Sequence, residues 1–173
     1  MSYRRATVVA FLFFSDGKDW HGGKNYYRSL FSALDADPDS RIRVLAFIGR
    51  RIDSANFDFP TSVTFVRSSA MDRFSPAWFF DRFCKQLFGR APLLNRALVR
   101  AGVDVVSHSD PRNSSNFPTI SWIADFQHMH LPAFFEPKEL DARDALFKIL
   151  IERSNLVVVS SHAALRSEER RVG

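Results

Sequence analysis

Cysteine is almost absent from the sequence. Cys84 is the only one, so no disulfide can form within the chain and no cysteine-based zinc cluster can be built. Long apolar runs are also missing. The apolar run near the N-terminus, Thr7 to Phe14, is shorter than the roughly 18 residues of a membrane-spanning helix, and it lacks a small-residue cleavage pattern. These absences predict a cytoplasmic protein without a membrane span.

Acidic residues are outnumbered by basic ones. The 173 residues include 24 Lys and Arg against 19 Asp and Glu, which gives a net charge of +5. This excess favours anionic partners, but it is modest and spread along the chain, so it does not indicate a nucleic-acid binder. The 46% hydrophobic and 25% charged residues are typical of one globular domain.

Apolar runs of strand length alternate with segments of helical periodicity. Strands buried on both faces of a parallel sheet have such unbroken runs, and the alternation indicates βαβ units. The predicted fold class is therefore α/β, a doubly wound and mostly parallel sheet. The predicted strands are residues 7–13, 43–48, 63–66, 103–107, 119–123 and 156–160, with helices after Asn25, after Pro76, around Leu94 to Val99, and after Pro137.

Polar and titratable residues collect in three loops that follow predicted strands. In a doubly wound sheet the ligand crevice forms beyond the carboxyl ends of the strands, where the strand order reverses. Four of the five histidines lie in these loops. The candidate residues are Asp16, His21, Gly22, Gly23, Lys24 and Asn25 after the first strand, Ser107, His108, Ser109 and Asp110 after the fourth, and Asp125, Gln127, His128 and His130 after the fifth.

Two of these loops allow more than one interpretation. Gly22 and Gly23 let a ligand approach the backbone at a helix N-terminus, or they form a tight turn between strand and helix. The sequence matches neither a Walker A loop nor a full dinucleotide fingerprint. Asp125, His128 and His130 supply metal-ligand atom types, but a sugar-hydroxyl contact or a structural loop fits the same residues, and we expect no metal.

The segment after Pro76 combines aromatic and basic residues. A basic amphipathic helix of this kind can lie on a membrane surface. A stripe that faces the core, with a solvated basic face behind it, is the interpretation we favour. The residues concerned are Phe74, Trp78, Phe79, Phe80, Phe83 and Phe88, with Arg73, Arg82, Lys85 and Arg90 between them.

Three segments resemble the N-terminal half of bacterial GT-B glycosyltransferases of the family 4, or group 1, type. They are residues 20–30, residues 120–135 with Arg143 and Asp144 downstream, and residues 156–165. The resemblance implies a Rossmann-like acceptor-side domain over residues 1–165, and an enzyme that transfers a sugar from a nucleotide-sugar donor to a glycan, lipid-linked or small-molecule acceptor. That donor would be a co-substrate, and no cofactor is implied.

The same resemblance assigns roles to site residues. It implies that Asp125 and His128 are catalytic and contact the acceptor or the transferred sugar. It implies that Gly22 and Gly23 approach the donor. The other substrate-binding candidates are Lys24, Asn25, Ser107, His108 and Gln127.

The donor half of such an enzyme has no counterpart in this sequence. We therefore expect a truncated chain, inactive without that half, with residues 166–173 as a tail outside the family pattern. Peripheral contact with the inner membrane face is a further expectation. Two alternatives remain open: a nucleotide-sugar epimerase of GT-B architecture, and a non-catalytic Rossmann-like module for a nucleotide or sugar. A dehydrogenase is disfavoured, because the glycine fingerprint is incomplete and no acidic residue is clearly placed at the end of the second strand.

Overall fold

The structure is a computed structural model that describes residues 5–15 and 21–160. Predictions about Asp16 and about the tail at 166–173 lie outside the described residues. The elements follow in the order β1 (Thr7–Phe13), α1 (His21–Ala36), β2 (Ile42–Ile48), β3 (Thr64–Arg67), α2 (Pro76–Phe88), α3 (Pro92–Arg100), β4 (Val105–Ser107), β5 (Thr119–Ile123), α4 (Gln127–His130), α5 (Pro137–Arg153) and β6 (Leu156–Val159).

The six strands form one parallel sheet in the order β3-β2-β1-β4-β5-β6. β1 lies at the centre, paired with β2 on one side and β4 on the other. The chain winds outward from β1 in both directions, so the strand order reverses between β1 and β4. This arrangement confirms the predicted doubly wound, Rossmann-like class.

The two faces of the sheet are covered by different cores. On one face Ala10 and Phe47 pack with Leu94 and Leu98 of α3. On the other face Phe11, Phe13 and Ile48 pack with Tyr27 and Phe31 of α1. Because successive side chains of a strand point to opposite faces, β1 and β2 must be apolar at nearly every position, as their sequences are.

Local signals place most helix ends where the sequence predicts them. Ser75 caps α2 by accepting a hydrogen bond from the Trp78 amide, and Gly89 ends it with a φ of 65°, a left-handed conformation that glycine adopts without strain. α1 differs from the prediction, because it starts at His21 and not near Asn25. Gly22 and Gly23 therefore lie in its first turn.

A carboxylate of α2 caps the next helix. Asp81 Oδ1 and Oδ2 accept hydrogen bonds from the Leu93 and Leu94 amides, both at 2.8 Å. Asp81 is buried, and α3 has no side-chain cap of its own. Burial raises the pKa of this carboxyl, although the two backbone hydrogen bonds act in the opposite direction. Asp81 thereby fixes the position of α3 relative to α2.

The predicted core-facing stripe on α2 is wrong for most of its aromatic residues. Phe79, Phe80 and Phe83 are at least half exposed, as are Phe74 and Phe88 at the ends of the helix. The buried side of α2 is instead taken by Asp81, with Trp78 and Lys85 partly covered. Helical periodicity shows that a stripe exists, but it does not show which side of the helix meets the core.

None of the helices in the described residues is long and apolar enough to cross a bilayer.

We expect Gly49→Ala to lower the free energy of unfolding by about 1–3 kcal/mol, the usual cost of forcing extra volume into a packed site. A Cβ at Gly49 would lie 2.5 Å from Oδ1 of Asp72, a buried carboxylate that accepts a hydrogen bond from the Arg51 amide at 3.1 Å. Gly22→Ala is the matched control, because a Cβ there meets nothing within 4 Å. Urea denaturation measures both, and equal stabilities would contradict the prediction.

Asp81→Ala should lower the free energy of unfolding by about 2 kcal/mol, because it leaves two amides at the start of α3 without an acceptor. Asp53→Ala is the control. Asp53 is an exposed carboxylate that accepts one hydrogen bond, from the Ala55 amide at 3.0 Å. Thermal or urea unfolding should show the larger loss for Asp81. A loss no greater than that of the control would mean that α3 does not depend on this cap.

Candidate functional site

The site lies at the carboxyl ends of the strands, where the strand order reverses. Phe14 and Ser15 follow β1, and His108 follows β4, its neighbour in the sheet. The strand order reverses between these two strands, and in a doubly wound sheet a ligand crevice forms at such a point. The reversal lies where the sequence predicts it, and ligand binding there stays a prediction.

His108 is the most constrained residue at this edge. Its φ of 54° lies in the left-handed region, which is uncommon for a residue with a Cβ. Its Nδ1 lies 2.8 Å from Ser107 Oγ, and its Nε2 lies 2.8 Å from the Tyr26 hydroxyl. Both ring nitrogens are therefore engaged, and the imidazole links β4 to α1.

Four aromatic rings surround this imidazole. The ring centroids of Phe11, Tyr26, Tyr27 and Trp122 all lie 5.3–5.5 Å from that of His108. Tyr26 stacks on Trp122 with centroids 4.6 Å apart. Burial lowers the pKa of His108 to about 4, and burial also raises the pKa of Tyr26. The imidazole is therefore neutral near neutral pH.

Two cavities open at the end of β1, and neither is lined by His108 or by the rings around it. The first, of about 420 Å³, we call the β-side cavity. It is lined by Phe14, Ser15, Arg51, Ile52, Asp53, Asn56, Met71, Asp72 and Arg73. The second, of about 440 Å³, we call the α-side cavity. It is lined by Phe14, Ser15, Ala70, Arg73, Trp78, Asp81, Arg82, Lys85, Ala91, Leu94 and Asn113. They share Phe14, Ser15 and Arg73, so they adjoin at the end of β1.

Most acidic groups in these walls already have partners. Asp72 accepts a hydrogen bond from the Arg51 amide, and Asp81 caps α3. Among the described residues, the guanidinium groups of Arg51, Arg73 and Arg82 form no ion pair. The cavities therefore present a surplus of positive charge to a ligand.

Lys85 and Asp110 form an ion pair at the wall of the α-side cavity. Lys85 Nζ lies 3.0 Å from Asp110 Oδ2 and donates to Asn113 Oδ1 at 2.7 Å. Burial lowers the pKa of Lys85, against the attraction of Asp110. Burial pushes the pKa of Asp110 upward, but hydrogen bonds from Arg112 and the charge of Lys85 outweigh it and hold this pKa below its usual value. The charge of Lys85 is thus neutralised within the protein and is not offered to a ligand.

The predicted residues of the first loop have mainly structural contacts. Lys24 Nζ donates to the Asn56 backbone carbonyl at 3.0 Å, which ties α1 to the loop after β2. Asn25 Oδ1 accepts a hydrogen bond from Arg28 at 3.1 Å. Gly22 is exposed and Gly23 is buried in the first turn of α1.

Asp125 and His128 of the third predicted loop have partners other than His108. His128 is 2% exposed and packs among Phe126, Phe135 and Phe147, with its Nε2 3.2 Å from Asp144 Oδ1. Asp125 accepts a hydrogen bond from the Gln127 amide at 3.1 Å. Their ligand contacts remain predictions. Within residues 5–15 and 21–160, no three His, Cys, Asp or Glu side chains are grouped to hold a metal ion.

Several residues of the site are not among the sequence candidates. The sequence pattern places Tyr26 in a helix and Trp122 in a strand and gives neither a role at the site. Their contact with His108 depends on how α1 packs on β4 and β5. Arg51 lies three residues after the end of β2, and this position beyond the carboxyl end of a strand next to β1 was the available signal. Arg73 was noted only as a basic residue of the aromatic and basic segment near Pro76, and that pattern did not indicate a ligand site.

Comparisons with known proteins found no family model and no curated protein that matches the chain. Two solved structures match it, both from Veillonella parvula. One is a short-chain dehydrogenase/reductase of the wide type in complex with NADP, with 11% identity, a TM-score of 0.38 and coverage of 88% of this chain and 67% of that chain. The other is an ethylated short-chain dehydrogenase/reductase, with 11% identity, a TM-score of 0.37 and coverage of 89% and 67%.

These findings correct the expected family. Both matching structures are short-chain dehydrogenase/reductases and not GT-B glycosyltransferases. The predicted membership of the GT-B family and the predicted transfer of a sugar are therefore wrong. The expectation of a nucleotide-sugar co-substrate and no cofactor is likewise contradicted, since one of these structures holds NADP. Because both TM-scores are below 0.5, the reductase activity of these proteins is not assigned to this chain.

We expect the free energy of unfolding to fall by about 3 kcal/mol between pH 7 and pH 4 through His108 alone, at 1.36 kcal/mol per pKa unit. The unfolded imidazole binds a proton near pH 6.5, whereas the folded one does so only at about 4. The unfolded state therefore binds more protons in this window, and stability is lost as the pH falls.

His108→Asn is the matched control for this measurement, because asparagine tolerates a left-handed φ and does not titrate. Urea denaturation across the pH range should give a shallower loss for the variant than for the wild type. Parallel curves would show that His108 does not carry the dependence.

Proposed function

We propose that this chain is a Rossmann-like domain that binds a nucleotide with at least one phosphate group at the carboxyl ends of β1, β2 and β3. The observation that carries the proposal is the pair of adjoining cavities at the strand-order reversal, with Arg51 and Arg73 open toward them. Guanidinium groups are well suited to phosphate, because their donors match its oxygens in pairs.

The β-side cavity offers a different surface to each part of a nucleotide. Phe14, Ile52 and Met71 provide an apolar wall for a base. Asn56 and Asp53 provide polar groups for ribose hydroxyls, and only one oxygen of Asp53 is taken by the Ala55 amide. Arg51 and Arg73 supply positive charge for the phosphate. A few convergent polar groups on an apolar wall are typical of cofactor sites.

The size of the site favours a ligand larger than one nucleoside. Each cavity has the volume of a small-ligand site, and the shared residue Arg73 stands where they meet. A base and ribose in the β-side cavity would place a phosphate at Arg73, and the α-side cavity would receive a second sugar or nucleoside.

The proposal is one of binding, with no reaction assigned. His108 and His128 line neither cavity, so no proton-transfer role is given to either imidazole. The single cysteine favours a reducing compartment such as the cytoplasm.

Titration calorimetry on the whole chain tests the proposal with ligands that differ in one feature. ADP should bind at least about tenfold more tightly than adenosine, because a phosphate held by an arginine contributes about 1.5–3 kcal/mol. The affinity for UDP, compared with that for ADP, measures the preference for one base. The affinity for NADPH, compared with that for ADP, measures whether the α-side cavity is also occupied.

Arg73→Gln should remove most of the preference for ADP over adenosine, and Arg51→Gln should reduce it. Arg43→Gln is the matched control, because Arg43 is an exposed arginine at the opposite end of β2. Equal binding of ADP and adenosine by the wild type, or binding of neither, would overturn the proposal.

A further inference from the structure

The side of α2 that points away from the core is apolar. Phe79, Phe80, Phe83 and Leu87 are 54%, 50%, 62% and 58% exposed. Their spacing places them on one side of a helix with 3.6 residues per turn, and we call this stripe the outward apolar face. Outward positions of a helix on a globular protein are ordinarily polar, so this face indicates a binding surface.

The exposed charges in the segment that contains α2 and α3 have one sign. Between residues 73 and 100 the only acidic residue is Asp81, which is buried and caps α3. Lys85 is neutralised by Asp110. The exposed charged residues of this segment are Arg73, Arg82, Arg90, Arg96 and Arg100.

A cationic groove adjoins α3. It has a volume of about 540 Å³, and its polar lining includes Arg50, Arg67, Arg96, Arg100 and Ser69. Leu93 also lines this groove, and its amide is bonded to Asp81 of α2 at 2.8 Å. The groove thus lies along α3, the helix that the buried carboxylate of Asp81 attaches to α2.

We infer that α2 and α3 together bind the surface of an anionic phospholipid bilayer. The outward apolar face enters the boundary between headgroups and acyl chains, and the arginines of the groove bind the headgroup phosphates. Aromatic side chains are favoured at this boundary, and each basic residue near an anionic leaflet adds about 1 kcal/mol of attraction. The residues varied in its test, Phe79, Phe83, Arg96 and Arg100, do not line the cavities of the proposed nucleotide site.

Charge complementarity argues for a lipid surface over a second copy of the chain. In a symmetric dimer the same patch lies on both sides of the interface, so the arginines around the outward apolar face would meet their own copies. An anionic bilayer supplies the opposite charge along the whole surface. It also covers the apolar side chains in the same step.

Vesicle flotation of the whole chain tests this inference. The probes are vesicles of phosphatidylcholine alone and vesicles of equal parts phosphatidylcholine and phosphatidylglycerol. We expect binding to the anionic vesicles that weakens with salt, and little binding to the neutral ones. Equal flotation with both, or flotation with neither, would overturn the inference.

Two pairs of variants separate the apolar and the charged contributions. The double variant Phe79→Ser, Phe83→Ser should weaken vesicle binding at least about tenfold, because it removes two exposed rings that the inference places in the bilayer. Phe134→Ser is its control, since Phe134 is 81% exposed but lies between β5 and α5. Arg96→Gln with Arg100→Gln should weaken binding about 25-fold, at about fivefold for each arginine.

Arg41→Gln with Arg43→Gln removes the same charge at the amino end of β2 and is the control for the second pair. Loss of binding in both members of a pair would show that only net charge or general hydrophobicity matters, and this would contradict the assigned surface. Sedimentation velocity without vesicles tests the other possible occupant of this face, a second copy of the chain. A dimer abolished by Phe79→Ser, Phe83→Ser, together with no vesicle binding, would assign the face to a second copy.

Discussion

The structure depends on the parallel pairing of β1 with both β2 and β4. This pairing places a strand at the centre of the sheet with helices on both faces, so each side chain of β1 from Val8 to Phe13 packs in one of the two cores. It also makes the chain wind outward in two directions, which creates the crevice at the carboxyl ends. The apolar sequence of the strand and the position of the two cavities therefore share one cause.

The polar residues at the carboxyl edge divide into those that hold the protein together and those that remain available. His108 joins β4 to α1 through Ser107 and Tyr26, Asp72 holds the turn after β2, and Asp81 positions α3. Because these groups satisfy each other or the backbone, the arginines that line the cavities are left without ion pairs among the described residues. That imbalance supports an anionic ligand more strongly than the modest net charge does.

The expected glycosyltransferase family rested on short motifs whose residues have structural contacts. Asp125 accepts a backbone hydrogen bond at the start of α4, and His128 is buried between aromatic rings beside Asp144. Gly22 and Gly23 occupy the first turn of α1. Such contacts recur wherever a strand leads into a helix at the edge of a parallel sheet, so these motifs identify the kind of loop more reliably than they identify a family.

The sequence by itself determined the six strands, most helix ends and the edge of the sheet that carries the site, because these follow from apolar runs, caps and the rules of parallel sheets. Only the tertiary structure decided which side of α2 meets the core. The periodicity of a helix defines its faces without orienting them, and here a buried carboxylate, Asp81, takes the inner side. The tertiary structure also decided that Tyr26 and Trp122 enclose His108, and that Arg51 and Arg73 face one cavity, because these residues are distant in sequence and meet only when the helices pack on the sheet.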